Sequence, residues 1–192
     1  MTKPDPTAAT DTPALAATRQ WLERAVIGLN LCPFAKAVHL KQQIRWVEST
    51  ATEPKALLQD LVHELQRLAA ADPELLDTTL LVHPQVLQDF LDYNDFLDVA
   101  DAAIEELGLE GVLQIASFHP QYQFEGTAED DVANFSNRAP FPTLHLLRED
   151  SIDRAVAAFP EAEAIYERNI DTLQRLGAEG WRRLMADGPS AP

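Results

Sequence analysis

Two short apolar runs, TTLLVH (78–83) and VLQIASFH (112–119), each stop at a proline, and a stretch with helical periodicity lies between them. Runs of this length bounded by Pro are too short for core helices and read as buried strands. Over 85–107, Phe90, Tyr93, Leu97, Ala100, Ile104 and Leu107 fall on one helical face, and Gly108 stops the helix. Strand, helix, strand in that order is a βαβ unit, whose crossover is right-handed when the strands are parallel. If the strands are parallel neighbours, His83-Pro84 and His119-Pro120 share the carboxyl edge of the sheet.

The rest of the chain extends this pattern. Leu15, Thr18, Leu22, Ala25, Val26 and Leu29 predict a helix to about residue 30. After the break at Asn30-Leu31-Cys32-Pro33, the segment PFAKAVHL predicts a short second helix with Cys32 as its cap. Ile44 to Glu48 reads as a strand, and 54–71 as a helix with Leu57, Leu58, Leu61, Val62, Leu65 and Leu68 in one stripe. A loop runs from His119 to Pro142, TLHLLR (143–148) is a fourth strand, and helices follow over about 150–158 and 161–185. The expected fold is α/β: a mixed sheet of about four strands (β-α-β-α-β-loop-β) covered by helices. The last strand is free to run antiparallel because a loop precedes it.

At 192 residues the chain suits one domain, expected over 14–186, with the Pro/Thr/Asp-rich 1–13 and residues 187–192 as disordered tails. The first residues lack an apolar signal core, and charges interrupt every apolar stretch before about 18 residues, so a cytoplasmic protein with no membrane span is expected. A single cysteine, Cys32, excludes an internal disulfide and a cysteine-rich zinc module. A formal net charge of -16 with scattered Lys and Arg argues against nucleic acid as a partner.

Open α/β sheets bind ligands along the carboxyl edge, which directs attention to His83, His119 and the loop after His119. Loops longer than about 12–15 residues are uncommon in compact domains and are often functional. This one carries Tyr122, Phe124 and Phe135 as anchors, with Asn134, Asn137 and Arg138 as donors suited to a carboxylate or phosphate. The expected site therefore has His119 as general acid or base and Cys32 as a possible nucleophile. Tyr122, Asn134, Asn137, Arg138 and His83 would hold a small anionic molecule. Cys32 as a helix cap would feel the macrodipole, which favours its thiolate. The alternative is a non-catalytic binding or structural module in which the loop is a packed lid. Metal binding is a third reading with less behind it: His39, His63, His83, His119 and His145 match no zinc spacing, and Glu125, Glu129, Asp130 and Asp131, which could supply oxygen ligands, read more simply as a solvated turn and helix start. His145, mid-strand, reads as a hydrogen-bonded interior histidine. No Walker, Rossmann or GxSxG motif is present to name a cofactor.

The segments WLERAVIGLNLCPFAKAV (21–38), LLVHPQVLQDFLDYNDFLDVAD (80–101), GVLQIASFHPQYQFEGT (111–127) and NRAPFPTLHLLREDSIDRA (137–155) resemble the bacterial family known as domain of unknown function 1415. The resemblance covers about residues 18–185. The family's loop usually reads Asn-Arg-Ser-Pro-Tyr-Pro; Ala139 and Phe141 replace the Ser and Tyr here, so neither hydroxyl is required. It implies a bacterial cytosolic protein and no mechanism. Cys32-Pro33-Phe34-Ala35 is also similar to the active-site tetrapeptide of omega-class glutathione transferases and to glutaredoxin Cys-Pro turns. Pro142-Thr143-Leu144 resembles the cis-proline strand start of thioredoxin folds. Thiol transfer at Cys32 is a further expectation on that basis.

Overall fold

The computed structural model describes residues 12–158 and 164–186; the predicted tails lie largely outside that range. The elements are α1 (Pro13–Trp21), α2 (Ala35–Leu40), β1 (Ile44–Glu48), α3 (Pro54–Ala70), β2 (Thr78–Val82), α4 (Phe90–Glu106), β3 (Leu113–Phe118), β4 (Thr143–Arg148), α5 (Glu149–Ala158) and α6 (Ile165–Ala186). A π-helical turn continues α1 over Leu22–Ile27, and a 3-10 segment spans Val132–Asn137 inside the long loop. No helix among the described residues is long and apolar enough to cross a membrane.

The four strands form one sheet in the order β1-β2-β4-β3, mixed as expected. β1 and β2 are parallel, and β4 runs antiparallel to both of its neighbours. The strands ending at His83 and His119 are thus not direct neighbours: β4 lies between them. The loop after β3 makes this possible, because it lets the chain double back into the gap.

One face of the sheet is sealed by α3 and α4. Leu57, Leu61, Leu65 and Leu68 recur at helical spacing, all fully buried, and pack with Tyr93, Phe96 and Ala100 against Leu81, Leu113, Leu144 and Leu146. Asp89 caps α4, its carboxylate accepting from the N–H groups of Leu91 (2.8 Å) and Asp92 (3.3 Å). The helix starts five residues later than predicted because 84–89 is a tight turn with Leu87 at φ 57°. Glu64, 3% exposed on α3, is held by both Nε (2.7 Å) and Nη2 (3.0 Å) of Arg45.

The other face meets α1, its π-helical continuation and α5, with α6 packed outside. Thr12 caps α1, its hydroxyl accepting from Leu15 N–H at 3.2 Å, and Pro13 fills the first turn. The π turn is closed by Gly28 N–H to Glu23 O (3.0 Å) and Leu31 N–H to Val26 O (2.9 Å). It ends at a residue that must be glycine, since a Cβ on Gly28 would stand 2.2 Å from Arg24 O. The predicted cap is corrected here. α2 begins only at Ala35 with Phe34 in the cap position, and Cys32 contributes its backbone carbonyl to Ala35 N–H (3.3 Å). The thiol therefore does not occupy a cap, and the macrodipole argument for its ionisation has no geometry to act through.

Arg148, 8% exposed at the end of β4, ties the layers together. Its Nη2 donates to Leu68 O (2.6 Å) and Ala71 O (2.8 Å), and its Nε donates to Leu76 O (3.2 Å), so one cation satisfies the carboxyl end of α3 and the turn after it. Removing it takes the Arg148 donors from the part-buried carbonyls of Ala71 and Leu76 and leaves Leu68 O with Ala71 N–H alone. Arg148→Met is expected to lower unfolding free energy by about 2–3 kcal/mol in urea titrations, with Arg148→Lys recovering less than half. Equal stability of all three proteins would contradict this role.

Candidate functional site

The carboxyl edge of the sheet gathers most of the residues that the sequence singled out. The backbone N–H of His83 donates to Pro142 O (3.0 Å) and that of His119 to Asn137 O (3.1 Å), so both strand ends and the approach to β4 share one rim. Tyr93 of α4 sits beneath it; its hydroxyl donates to Thr143 O (2.8 Å) and accepts from Phe118 N–H (3.1 Å). Burial raises the Tyr93 pKa, keeping that hydroxyl protonated. Its ring packs against both imidazoles, with centroids 5.7 Å from His83 and 5.1 Å from His119.

The polar groups at this rim are largely engaged by backbone. His119, fully buried, accepts from Gln121 N–H at Nδ1 (3.1 Å), so its proton is on Nε2, which donates to Leu87 O (3.1 Å). Nδ1 of His83 donates to Val86 O (3.0 Å). The two rings thereby pin the 84–89 turn in which Leu87 adopts its left-handed backbone. In the loop, Asn134 is fully buried: Oδ1 accepts from Phe124 N–H (2.9 Å) and the Thr127 hydroxyl (2.9 Å), while Nδ2 donates to Ala128 O (2.9 Å). Asn137 Nδ2 donates to Ser117 O (3.1 Å). Arg138 donates from Nε to Tyr122 O (3.0 Å) and from Nη2 to Glu129 O (2.6 Å), with its guanidinium 5.1 Å from the Phe135 ring centroid. Tyr122 packs between Phe90 and Phe124. In this arrangement the donors of Asn134 and Arg138 close the loop upon itself, as in a self-packed Ω-loop, and Asn137 ties it to β3.

Cys32 stands elsewhere. It is half-buried among Trp21, Leu22 and Val26, on the face of the sheet opposite α4, whereas His119 packs against Phe90 and Tyr93 of α4. The predicted Cys/His partners are thus separated by the sheet itself.

What Cys32 borders instead is a cavity of about 650 Å³. Its floor follows from strand register: Leu80 pairs with His145, and His145 with Ala116, so three side chains from β2, β4 and β3 lie in one row. Cys32 and Pro33 form one wall, and Ile152 and Ala155 of α5 another. The lining is almost entirely carbon. The volume falls within the roughly 300–1,000 Å³ of small-molecule sites. The ring of His145 is dehydrated by the sheet on one side and borders the cavity on the other; burial lowers its pKa to about 4, so it is neutral at pH 7. The interior hydrogen bond expected for His145 is present, to Thr78 Oγ1 at 2.7 Å. Its exposure to a cavity was not legible in sequence. Among the described residues, no group of three His, Cys, Asp or Glu is placed to hold a metal ion.

The rim histidines carry a pH signature. His83 is fully buried, its Nε2 has no partner among the described residues, and burial lowers its pKa to about 4. Burial also lowers that of His119. A folded-state pKa below the unfolded 6.5 means that the unfolded chain binds more protons between those values, so these groups destabilise the fold as pH falls from 6.5 towards 4. His83 alone accounts for about 3 kcal/mol over that window. Urea titrations at pH 7 and 4.5 are expected to show a smaller loss for His83→Gln than for the natural chain; identical pH slopes would contradict the assignment.

In comparisons with known proteins, residues 13–183 match the family model described as "Protein of unknown function (DUF1415)". No curated protein and no solved structure matches the chain. The four-stranded sheet, its self-bonded loop and the cavity behind it are therefore features of a chain that belongs to the DUF1415 family.

Proposed function

We propose that this protein binds a small, mostly apolar molecule in the cavity between the sheet and the α1–α2–α5 side. The observation that carries this reading is the cavity itself, about 650 Å³ bounded by the strand row Leu80–His145–Ala116, the Cys32–Pro33 turn and α5. Its lining, half-open to solvent, forgoes the dispersion contacts that close packing supplies elsewhere in the fold. A ligand restores them. The opposite face, with its unbroken Leu packing, supplies the rigid support such a site requires.

The rim contributes to this function as scaffold. Its bonds fix the β3–β4 connection, and β4 carries His145 to the cavity floor. Arg138, where the sequence suggested a small anion, spends its Nε and one Nη2 donor on the carbonyls of Tyr122 and Glu129. Cys32 serves here as part of the wall, where a compact polarizable side chain packs well.

N-phenyl-1-naphthylamine, whose fluorescence rises in apolar surroundings, is expected to bind the full chain at one site. Ala116→Phe, which fills the floor, should weaken binding at least about tenfold while keeping or raising the thermal midpoint, since filling a void restores packing. Undiminished binding by a folded Ala116→Phe variant would overturn the proposal.

A further inference from the structure

The chemistry of the ligand follows from one imidazole, provided that the cavity is a binding site as proposed above. Thr78 Oγ1 lies 2.6 Å from Leu146 O and 2.7 Å from Nε2 of His145. A carbonyl can only accept, so the single hydroxyl proton of Thr78 goes to Leu146 O. Thr78 Oγ1 must then accept from His145, which fixes the proton on Nε2. The remaining nitrogen, Nδ1, is left as a lone-pair acceptor with no hydrogen-bond partner among the described residues, on a ring that borders the cavity. Such a nitrogen is satisfied by an O–H or N–H donor and repels a carboxylate oxygen.

The other polar groups point the same way. Arg148 is the one cation among the described residues of the lining, and its Nε and Nη2 are committed to the carbonyls of Leu76, Leu68 and Ala71. Asp77 contributes a carboxylate that accepts from the Ser151 hydroxyl at 2.6 Å, adding negative rather than positive potential at the wall. An anionic ligand would give up its hydration to face one cation already bonded to three carbonyls, with the Asp77 carboxylate at the same wall. The sulfur of Cys32 is at most a weak donor or acceptor.

We infer that the cavity selects a neutral, mostly apolar molecule carrying one hydroxyl or N–H group, which donates to Nδ1 of His145. A phenol or an alcohol on an aromatic or branched aliphatic frame meets this description. His145 then acts as a specificity determinant: apolar contact supplies affinity, and the imidazole sets which end of the ligand faces the sheet.

Four probes sharing one ring system separate the possibilities: naphthalene, 1-naphthol, 1-naphthoate and (1-naphthyl)methylammonium, titrated calorimetrically into the full chain at pH 7. 1-Naphthol is expected to bind about three- to tenfold more tightly than naphthalene, as one net hydrogen bond allows. Both ions should bind more weakly than either neutral probe. In His145→Phe the preference for 1-naphthol over naphthalene should vanish while naphthalene binding persists. Nitrogen-15 NMR of the unsubstituted protein supplies a readout that needs no variant: the His145 Nδ1 resonance should move with 1-naphthol and stay in place with naphthalene. Equal binding of 1-naphthol and naphthalene, tightest binding of either ion, or an unmoved Nδ1 resonance overturns this inference and leaves the cavity reading intact. Failure of all four probes to bind overturns both.

Discussion

The architecture depends on the insertion of β4, antiparallel, between β2 and β3. Among the described residues that strand joins the β1–β2 pair to β3, and each of its faces has a separate duty. Leu144 and Leu146 point into the α3–α4 core, fully buried. Thr143, His145 and Leu147 point the other way, and the latter two meet the cavity. At its start the strand is clamped by the Tyr93 hydroxyl, and at its end Arg148 reaches across to the carboxyl terminus of α3. A one-residue slip would exchange Leu146 with His145 and bury the imidazole in the leucine core, so register here is set by the chemistry of both faces.

The two sides of the sheet differ in kind. The α3–α4 side is a leucine ladder with a buried Tyr; Glu64 pairs with Arg45 and Tyr93 with backbone on both sides, while Thr79 Oγ1 and His83 Nε2 have no partner among the described residues. The opposite side is assembled from less regular pieces: a helix that loosens into a π turn, a glycine-dependent reversal and the six-residue α2. Irregular backbone cannot approach a sheet as closely as a straight helix can. Small residues at Ala116 and Ala155 add to the space, and the cavity is the result. Rigid support on one side and an open layer on the other are the division of labour expected of a ligand site built on a sheet.

Much of the fold was legible because it is periodic. Leu57, Leu61, Leu65 and Leu68 announce α3, the Pro-bounded runs announce β2 and β3, and TLHLLR announces β4. The strand order was not legible, since pairing depends on where the loop after His119 returns the chain and nothing in local spacing encodes that. The helix boundaries at residues 30, 33 and 85 failed for a common reason. Apolar spacing continues through the π turn and the 84–89 turn, whereas the backbone departs from α geometry at Leu22, Asn30 and Leu87. Side-chain chemistry names what the donors of the long loop can bind, and only geometry names what they do bind; Asn134 and Arg138 bind their own loop, and Asn137 binds the end of β3. The sequence marks His145 as an interior histidine, and its hydrogen bond to Thr78 agrees. The open space beside it arises from elements far apart in sequence, so no local signal could reveal it.

The central claim is that the apolar cavity lies on the α1–α2–α5 face of the sheet, opposite the packed leucines of α3. Methyl NMR of the full chain under xenon pressure tests it directly, because xenon enters apolar voids without needing a polar contact. The account predicts the largest saturable shifts at methyl groups lining the cavity, such as those of Leu22, Val26, Leu80, Leu147 and Ile152, with those of Leu57, Leu61 and Leu65 unchanged. Shifts confined to the α3–α4 side, or no saturable shifts anywhere, would contradict it.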